Sequence, residues 1–350
     1  LALTAKLNLF FYGPPGVGKT LMVTEMVKHI INAIYFEYTV DSFTVPEQIA
    51  GHVSLKKLKE DILERNTENT ICEAHIVFLD EFWKANGGII NFLLPILNER
   101  KYYNANKVHN APAIIIIGAS NEIPEESDHL EAAYDRFVIK MEVKTIQERA
   151  NLLTMMKRAL NEKPLPKVKI SLNDIALLNE TVKKVTISDG ILHKIIEIKT
   201  ALEKSNIIVS PRVLNSSLRV LQAEALLAER DYVDEEDLVV LAHTFWKEPE
   251  HMQVIYKEIL KRTSPDAEKF NSLKNSLTGL YNKYQEDSVN SSAQDALSMI
   301  QVGFLSQAKT LKEEVRKLRK NVSEKGRNTN NIDSLLDTCN SYLEEAAASL

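Results

Sequence analysis

Eight residues near the start of the chain, Gly13 to Thr20 (GPPGVGKT), fill every fixed position of G-x-x-x-x-G-K-[ST]. Glycines at these positions let the backbone turn tightly and bring its N–H groups close to an anion. The residues from Lys19 onward read as a helix, and its positive end would point at the same anion. A triphosphate suits that cradle: Gly13, Pro14, Pro15, Gly16, Val17, Gly18, Lys19, Thr20 and Leu21 would line it. Lys19 would reach the β- and γ-phosphate oxygens, and the Thr20 hydroxyl would sit on the Mg²⁺ that bridges them. The plain alternative is a glycine turn that only joins a strand to a helix.

Two further runs end in groups that complete such chemistry. HIVFLDE places Asp80 to hold Mg²⁺, directly or through its water, and Glu81 to orient and deprotonate an attacking water. An isolated Asp-Glu pair would otherwise be a solvated loop. AIIIIGASN ends in Asn121, whose amide could donate to a γ-phosphate and accept from the water; its alternative is a turn cap. ATP and Mg²⁺ are therefore the expected ligands.

Elements must hold these groups in place, and Leu7–Tyr12, Ala33–Val40, His75–Asp80 and Ala113–Gly118 read as buried strands separated by helical segments. Phe137–Val143 reads as a fifth, with Ile139, Met141 and Val143 alternating against Lys140 and Glu142, as suits an edge. Strands alternating with helices imply an open parallel α/β sheet, with its site at the carboxyl ends of the strands. Pro46 and Gly51 break Phe43–Glu64 into a short helix, a turn and a charged projecting segment. Gly88–Leu97 reads as a helix, and Lys101–His109 as a hairpin turning near Asn104–Asn106. Pro164–Pro166 marks a loop, after which Ile191–Leu202, Val213–Leu227 and Leu238–Trp246 are amphipathic helices. The polar stretch from Pro265 carries three more helical stripes, which a three-helix bundle would bury, joined by linkers at Ser288–Ser292 and Ser323–Asn331. The resulting division is 1–144 for the α/β nucleotide domain, 145–262 for an all-α lid and 263–350 for a C-terminal helical bundle.

Composition is that of an ordinary soluble globular protein, 44% hydrophobic and 26% charged. A net charge of −5 gives no global pull toward nucleic acid or anionic membrane, and no run is long enough to span a bilayer. Cys72 and Cys339 form no CxxC, so a reducing, cytoplasmic setting is expected. The scattered histidines read as surface or packing residues, and Lys309–Lys320 as a solvated helix face rather than a nucleic-acid patch. The chain opens with Leu directly ahead of the first strand and is expected to be a fragment.

GPPGVGKT, VFLDE and GASN, in this order and with helices behind them, resemble an AAA+ ATPase. FEYTVDSFTVPEQIAG, VFLDEFWKANGGIINFLLPILNER, GASNEIPEESDHLEAAYDRF and VSPRVLNSSLRVLQAEALL resemble the MoxR family over roughly residues 1–250; DEFWKA and LEAAYDRF are similar to its RavA-like subgroup. The resemblance implies a five-stranded sheet of order 5-1-4-3-2, an insertion at Phe43–Glu64 and a hairpin at Lys101–His109, both facing a ring's axial pore. It makes Asn121 the sensor 1, Arg136 of DRF the arginine finger and Arg212 of SPR the sensor 2. Ser210 as cap and Pro211 at the first helical position independently put Arg212 in the first turn of a helix. The resemblance further implies a hexameric ring that remodels or matures a protein partner, often one with a von Willebrand A-type domain. Two features depart from the family: its N-terminal adenine-contacting segment is missing, and residues 265–350 lack the β-rich partner-binding insertion of RavA-like proteins. Two other functions stand as alternatives: a nucleic-acid-dependent motor, disfavoured by the acidic charge, and a non-hydrolysing assembly switch, disfavoured by Glu81 and Arg136.

Overall fold

The computed structural model describes residues 1–124, 128–147, 149–160, 168–263, 265–290, 294–324 and 330–348. The Pro164–Pro166 loop, most of the Ser323–Asn331 linker and the end of the Ser288–Ser292 linker lie outside them. Among the described residues no helix is long and apolar enough to cross a membrane.

Short apolar runs in the first 142 residues form one parallel sheet, in the order Tyr35–Thr39, Ile76–Asp80, Ile115–Ser120, Leu9–Tyr12, Ile139–Glu142. Numbered along the chain and read from the other edge this is 5-1-4-3-2, as expected. All six residues of Ile115–Ser120 are buried, because helices cover both faces of the sheet. Alternate side chains feed two cores: Phe10, Val77, Leu79 and Ile116 meet the helix Gly87–Glu99, while Phe11, Ile76, Phe78 and Ile117 meet Val23 and Ile175 on the other side. Each large side chain so buried contributes about 1.5–3 kcal/mol before entropy. Register aligns the strand ends: Tyr12 stands beside Ser120, and Thr39 beside Asp80, so the loops after the three central strands leave at one edge.

The edge strand corrects the alternation expected for it. Met141 is 43% exposed, whereas Lys140 is 2% exposed and points inward. Its Nζ donates to the carbonyls of Trp246 (2.9 Å) and Thr244 (3.4 Å) and lies 4.6 Å from the Tyr134 ring centroid. A second correction concerns Leu238–Trp246, expected as an α-helix. The chain instead forms a 3-10 helix over Glu235–His243, and its fully buried positions Leu238 and Leu241, with Thr244 just past its end, recur every third residue, the period of that helix. A two-residue strand, Ile170–Ser171, also pairs with Ile30–Ile31.

The insertion is two short helices, Pro46–Ala50 and Leu55–Leu58. The hairpin Lys101–Asn104/Lys107–Asn110 closes on Ala105 and Asn106, both at positive φ (48° and 58°), which matches strand twist. Asn104 ties the hairpin to the insertion, its side chain accepting from Arg65 N (2.8 Å) and donating to Arg65 O (3.0 Å).

The helices Asp189–Glu203 and Pro211–Leu227 form as the periodicity predicts, and Ser210 Oγ caps the latter by accepting from Val213 N (3.3 Å). The helices Arg149–Leu160 and Leu172–Val182 precede them, and the latter buries Ile175, Asn179 and Val182 at helical spacing. The chain divides into two compact units, Leu1–Tyr256 and Lys257–Leu350. In the second, the helices Pro265–Asn290, Gln294–Glu324 and Asn330–Ala348 pack around Leu273, Leu277, Val315, Leu318, Ile332 and Leu335. Both cysteines are free thiols buried in these cores, Cys72 under the sheet and Cys339 in the helical unit.

Candidate active site

The loop after Leu9–Tyr12 is shaped by its glycines in two different ways. At Gly13 there is no room: a Cβ would lie 2.2 Å from Val143 O, because Val143 N donates to Tyr12 O (2.7 Å) and draws the chain beyond the edge strand against the loop. At Gly18 there is room but the backbone needs φ 91°, which L side chains adopt only at a cost. Gly18 is the N-cap of the helix Lys19–Lys28, which has no side-chain cap and no acid in its first turn. Its first N–H groups are therefore left for an external anion. Pro14, Pro15 and Gly16 are exposed, Val17 and Thr20 half-buried, and Leu21 exposed. Lys19 is buried and turned back on the loop, donating to Gly13 O (2.6 Å) and, at 3.4 Å, to Pro14 O and Ser120 O. Its charge thus rests on carbonyls that a phosphate could replace.

Beside this loop lie the ends of the next two strands of the sheet. Asp80 Oδ1 accepts from Glu81 N (3.0 Å). Burial raises the Asp80 carboxyl above its ordinary range, opposed by that hydrogen bond; the Glu81 charge adds to the rise and Lys19 counters it. Glu81 sits in the left-handed region (φ 53°, ψ 37°), a conformation that costs a non-glycine residue about 1–3 kcal/mol and is stored mostly at working sites. Its Oε2 is buried without a hydrogen bond, 3.2 Å from Lys84 Nζ. Asn121 Oδ1 is likewise buried and unpartnered. Buried acceptors left open cost free energy unless something donates to them.

Arg136 and Arg212 lie elsewhere. Both line a cleft with Lys6, Leu7, Asn8 and Arg100, at the entry to the strand Leu9–Tyr12 rather than at its exit. Four residues at roughly 3.3 Å each put about 13 Å between the two ends of that strand. Burial and then the Arg212 charge lower the Arg136 guanidinium pKa, so the two cations feel each other. Arg136 donates to Ala132 O through one terminal nitrogen, and its Nε is buried without a partner. The structure thus brings Lys19, Thr20, Asp80, Glu81 and Asn121 to one end of the sheet and Arg136 and Arg212 to the other.

Residues 1–180 match the family described as the MoxR domain in MoxR-vWA-beta-propeller ternary systems, and residues 190–259 match an AAA lid domain. The chain belongs to the MoxR family. The MoxR match takes in the glycine loop, Asp80, Glu81, Asn121 and Arg136, and the lid match takes in Arg212. An uncharacterized protein of Methanocaldococcus jannaschii, MJ0079, is 33% identical to this MoxR chain over 98% of it and 91% of the relative. The uncharacterized YeaC of Bacillus subtilis is 28% identical over 69% of the chain and 76% of its own length. A crystal structure of an inferred ATPase from Cytophaga hutchinsonii shares the fold, with a TM-score of 0.61 at 21% identity, covering 75% of this chain and 86% of that one.

Two polar residues of the MoxR domain have no role in the reading of the sequence: Asn8, outside every quoted run, and Arg100, the last residue of VFLDEFWKANGGIINFLLPILNER. Asn8 is 3% exposed just ahead of the strand Leu9–Tyr12, and Arg100 ends the helix Gly87–Glu99 in the left-handed region. An amide just ahead of an otherwise apolar strand is the one local sign.

Proposed function

We propose that this MoxR chain is a Mg²⁺-dependent ATPase whose copies form a ring, each site being completed by the next copy. The observation that carries the reading is the pair of buried oxygens without a hydrogen bond, Glu81 Oε2, which has the Lys84 ammonium at 3.2 Å, and Asn121 Oδ1, beside a glycine loop whose lysine rests on carbonyls. The backbone from Gly13 to Leu21 binds the phosphates, and Lys19 leaves Gly13 O for the β- and γ-oxygens. The Asp80 carboxylate and Thr20 hydroxyl are hard oxygen donors of the kind Mg²⁺ takes, and they would hold it; bound there, it neutralises charge on the phosphates. Asn121 orients a water against the γ-phosphorus, and Glu81 accepts its proton as the new P–O bond forms and the bond to the ADP oxygen breaks. ADP and phosphate leave.

Arg136 and Arg212, at the far end of the strand Leu9–Tyr12, serve the ATP of a neighbouring copy, where a guanidinium stabilises the transferring phosphoryl group. A closed head-to-tail ring, hexameric by family likeness, brings these two ends together. The matched description names vWA and beta-propeller components, which supports a von Willebrand A-type protein as the partner that the ring remodels or matures. The RavA-like subgroup rests on the DEFWKA and LEAAYDRF wording alone. Residues 1–144, 145–262 and 263–350 are assigned as motor, lid and appended bundle, and the free buried thiols support a reducing, cytoplasmic setting.

The test is steady-state phosphate release from ATP and Mg²⁺. Glu81→Gln should still bind ATP while turnover falls by about 10²–10⁴-fold. Turnover at the wild-type rate in that variant overturns the role of Glu81, and a wild-type chain that binds ATP without turnover overturns the ATPase itself. A rate that rises on adding DNA or RNA favours a nucleic-acid motor instead.

A further inference from the structure

The side chain of Asn8 joins three parts of the fold. Its Nδ2 donates to Leu97 O and to Arg136 O, both at 2.9 Å, and its Oδ1 accepts from Arg100 (2.6 Å). A carboxylate could not replace it, having nothing to donate to the two carbonyls, and an aliphatic group would leave them unsatisfied. Arg100 is itself pinned, donating to Ile96 O (3.1 Å) and Leu97 O (3.0 Å) at the end of the helix Gly87–Glu99. It has no carboxylate partner among the described residues. A guanidinium held in a buried place by carbonyls and one amide is costly, and here its placement fixes Asn8. Burial lowers its pKa to about 10.

What this clamp holds is the backbone of Arg136 itself. The carbonyl of Arg136 is fixed by Asn8, its N–H by Ala133 O (3.0 Å), and the next N–H by Tyr134 O (3.0 Å). The Arg136 side chain, by contrast, has a buried Nε without a partner. Backbone fixed, with one guanidinium nitrogen on Ala132 O and Nε left without a partner, is the arrangement expected of a group that must meet something from outside with little freedom to lose. The residue after Asn8 begins the strand Leu9–Tyr12, and the residue after its other end is Gly13, whose N–H donates to Ser120 O (3.2 Å). One short strand thus carries the nucleotide loop at its exit and the Arg136 clamp at its entry.

We propose that Asn8 and Arg100 are positioning residues for Arg136, and that the strand Leu9–Tyr12 connects a copy's own nucleotide loop to the arginine it extends to its neighbour. The proposal rests on the reading that Arg136 acts on the neighbour's ATP. A displacement of the glycine loop along this strand moves Asn8, and with it the carbonyl of Arg136.

Mixed rings of full-length protein test the clamp. Asn8→Leu should bind ATP as the wild type does and lose turnover by about 10²-fold, the cost of misplacing a group by about 1 Å. Mixed with Glu81→Gln, it should regain activity, because an intact base from one copy meets an intact arginine from the other. Mixed with Arg136→Ala, it should regain none, because every interface then has a defective arginine. Gain with Arg136→Ala instead, or gain with neither, overturns the clamp, as does wild-type turnover in Asn8→Leu alone. The mixture of Arg136→Ala with Glu81→Gln is the control: no gain there removes the trans reading itself, whereas gain there with failure of Asn8→Leu removes only the clamp. If Asn8→Leu does not fold, Arg100→Lys, which keeps the charge and loses the fork, enters the same mixtures with the same outcomes.

Discussion

Lys140 Nζ donates to the carbonyl of Trp246 at 2.9 Å, so the edge strand of the sheet is bonded through a buried lysine to the segment just beyond the lid's 3-10 helix. Burial lowers its pKa to about 7; Asp135 opposes the shift and Lys247 adds to it, while the Tyr134 and Trp246 rings face the ammonium.

That buried lysine gives stability a pH dependence. Between about pH 7 and the unfolded value near 10.4, the unfolded chain holds a proton on Lys140 that the folded chain lacks. Stability from this group therefore rises with pH across that window, and below about pH 7 its full burial cost remains. Lys140→Met keeps the volume and removes the titration. Denaturant midpoints measured from about pH 6 to about pH 9 should show the wild type gaining on Lys140→Met as pH rises; parallel curves would refute a neutralised lysine.

Lys19→Ala should weaken ATP binding itself, since the side chain supplies the cation that rests on the loop's own carbonyls. Gly18→Ala should weaken it by about 10-fold for a different reason: the nearest atom to the new Cβ is 4.0 Å away, so the cost is backbone strain of about 1–2 kcal/mol at the helix start. Equilibrium binding of a fluorescent ATP analogue reads both, and unchanged affinity in Lys19→Ala would remove the loop from phosphate binding.

Arg136→Ala and Glu81→Gln should each be nearly inactive, because a finger contributes about 10³–10⁵ in rate. Random equal mixing leaves about a quarter of the interfaces complete in a closed ring, so the mixture should regain a substantial fraction of wild-type activity. An arginine that served its own copy would give no recovery once subunit exchange is shown with labelled protein.

Removing residues 265–350 should leave ATP affinity within about two-fold, since Leu1–Tyr256 is compact by itself and keeps both faces of its sheet covered. Recruitment of a protein partner is the activity expected to suffer. A truncated chain that is insoluble or does not bind nucleotide would show that the helical unit belongs to the motor's fold.

The loop, the strands and Glu81 are legible in the sequence because each is a local pattern: a spacing of glycines, or an apolar run with a polar end. The order of the strands comes with the family likeness, since nothing in an apolar run says which neighbour it takes. Period two makes position 140 the polar, solvent-facing side of an edge strand; only the arrival of Thr244–Trp246 from far along the chain turns Lys140 inward. The same distance hides Asn8, whose partners are the carbonyls of Leu97 and Arg136 and the side chain of Arg100, and a carbonyl has no signature in a sequence. For the 3-10 helix the acidic start is visible, but the choice between a period of 3.0 and one of 3.6 is set by what Leu238, Leu241 and Thr244 have to cover.

Cys72 is buried in one compact unit and Cys339 in the other, and burial raises both thiols above their ordinary range. The chain therefore carries its own pair of opening reporters. A thiol reagent in mild denaturant labels each sulfur only when its surroundings part, and peptide mapping tells which sulfur reacted first. The order and spacing of the two labelling rates read out whether the halves of the chain melt as one or separately, with no substitution in the chain.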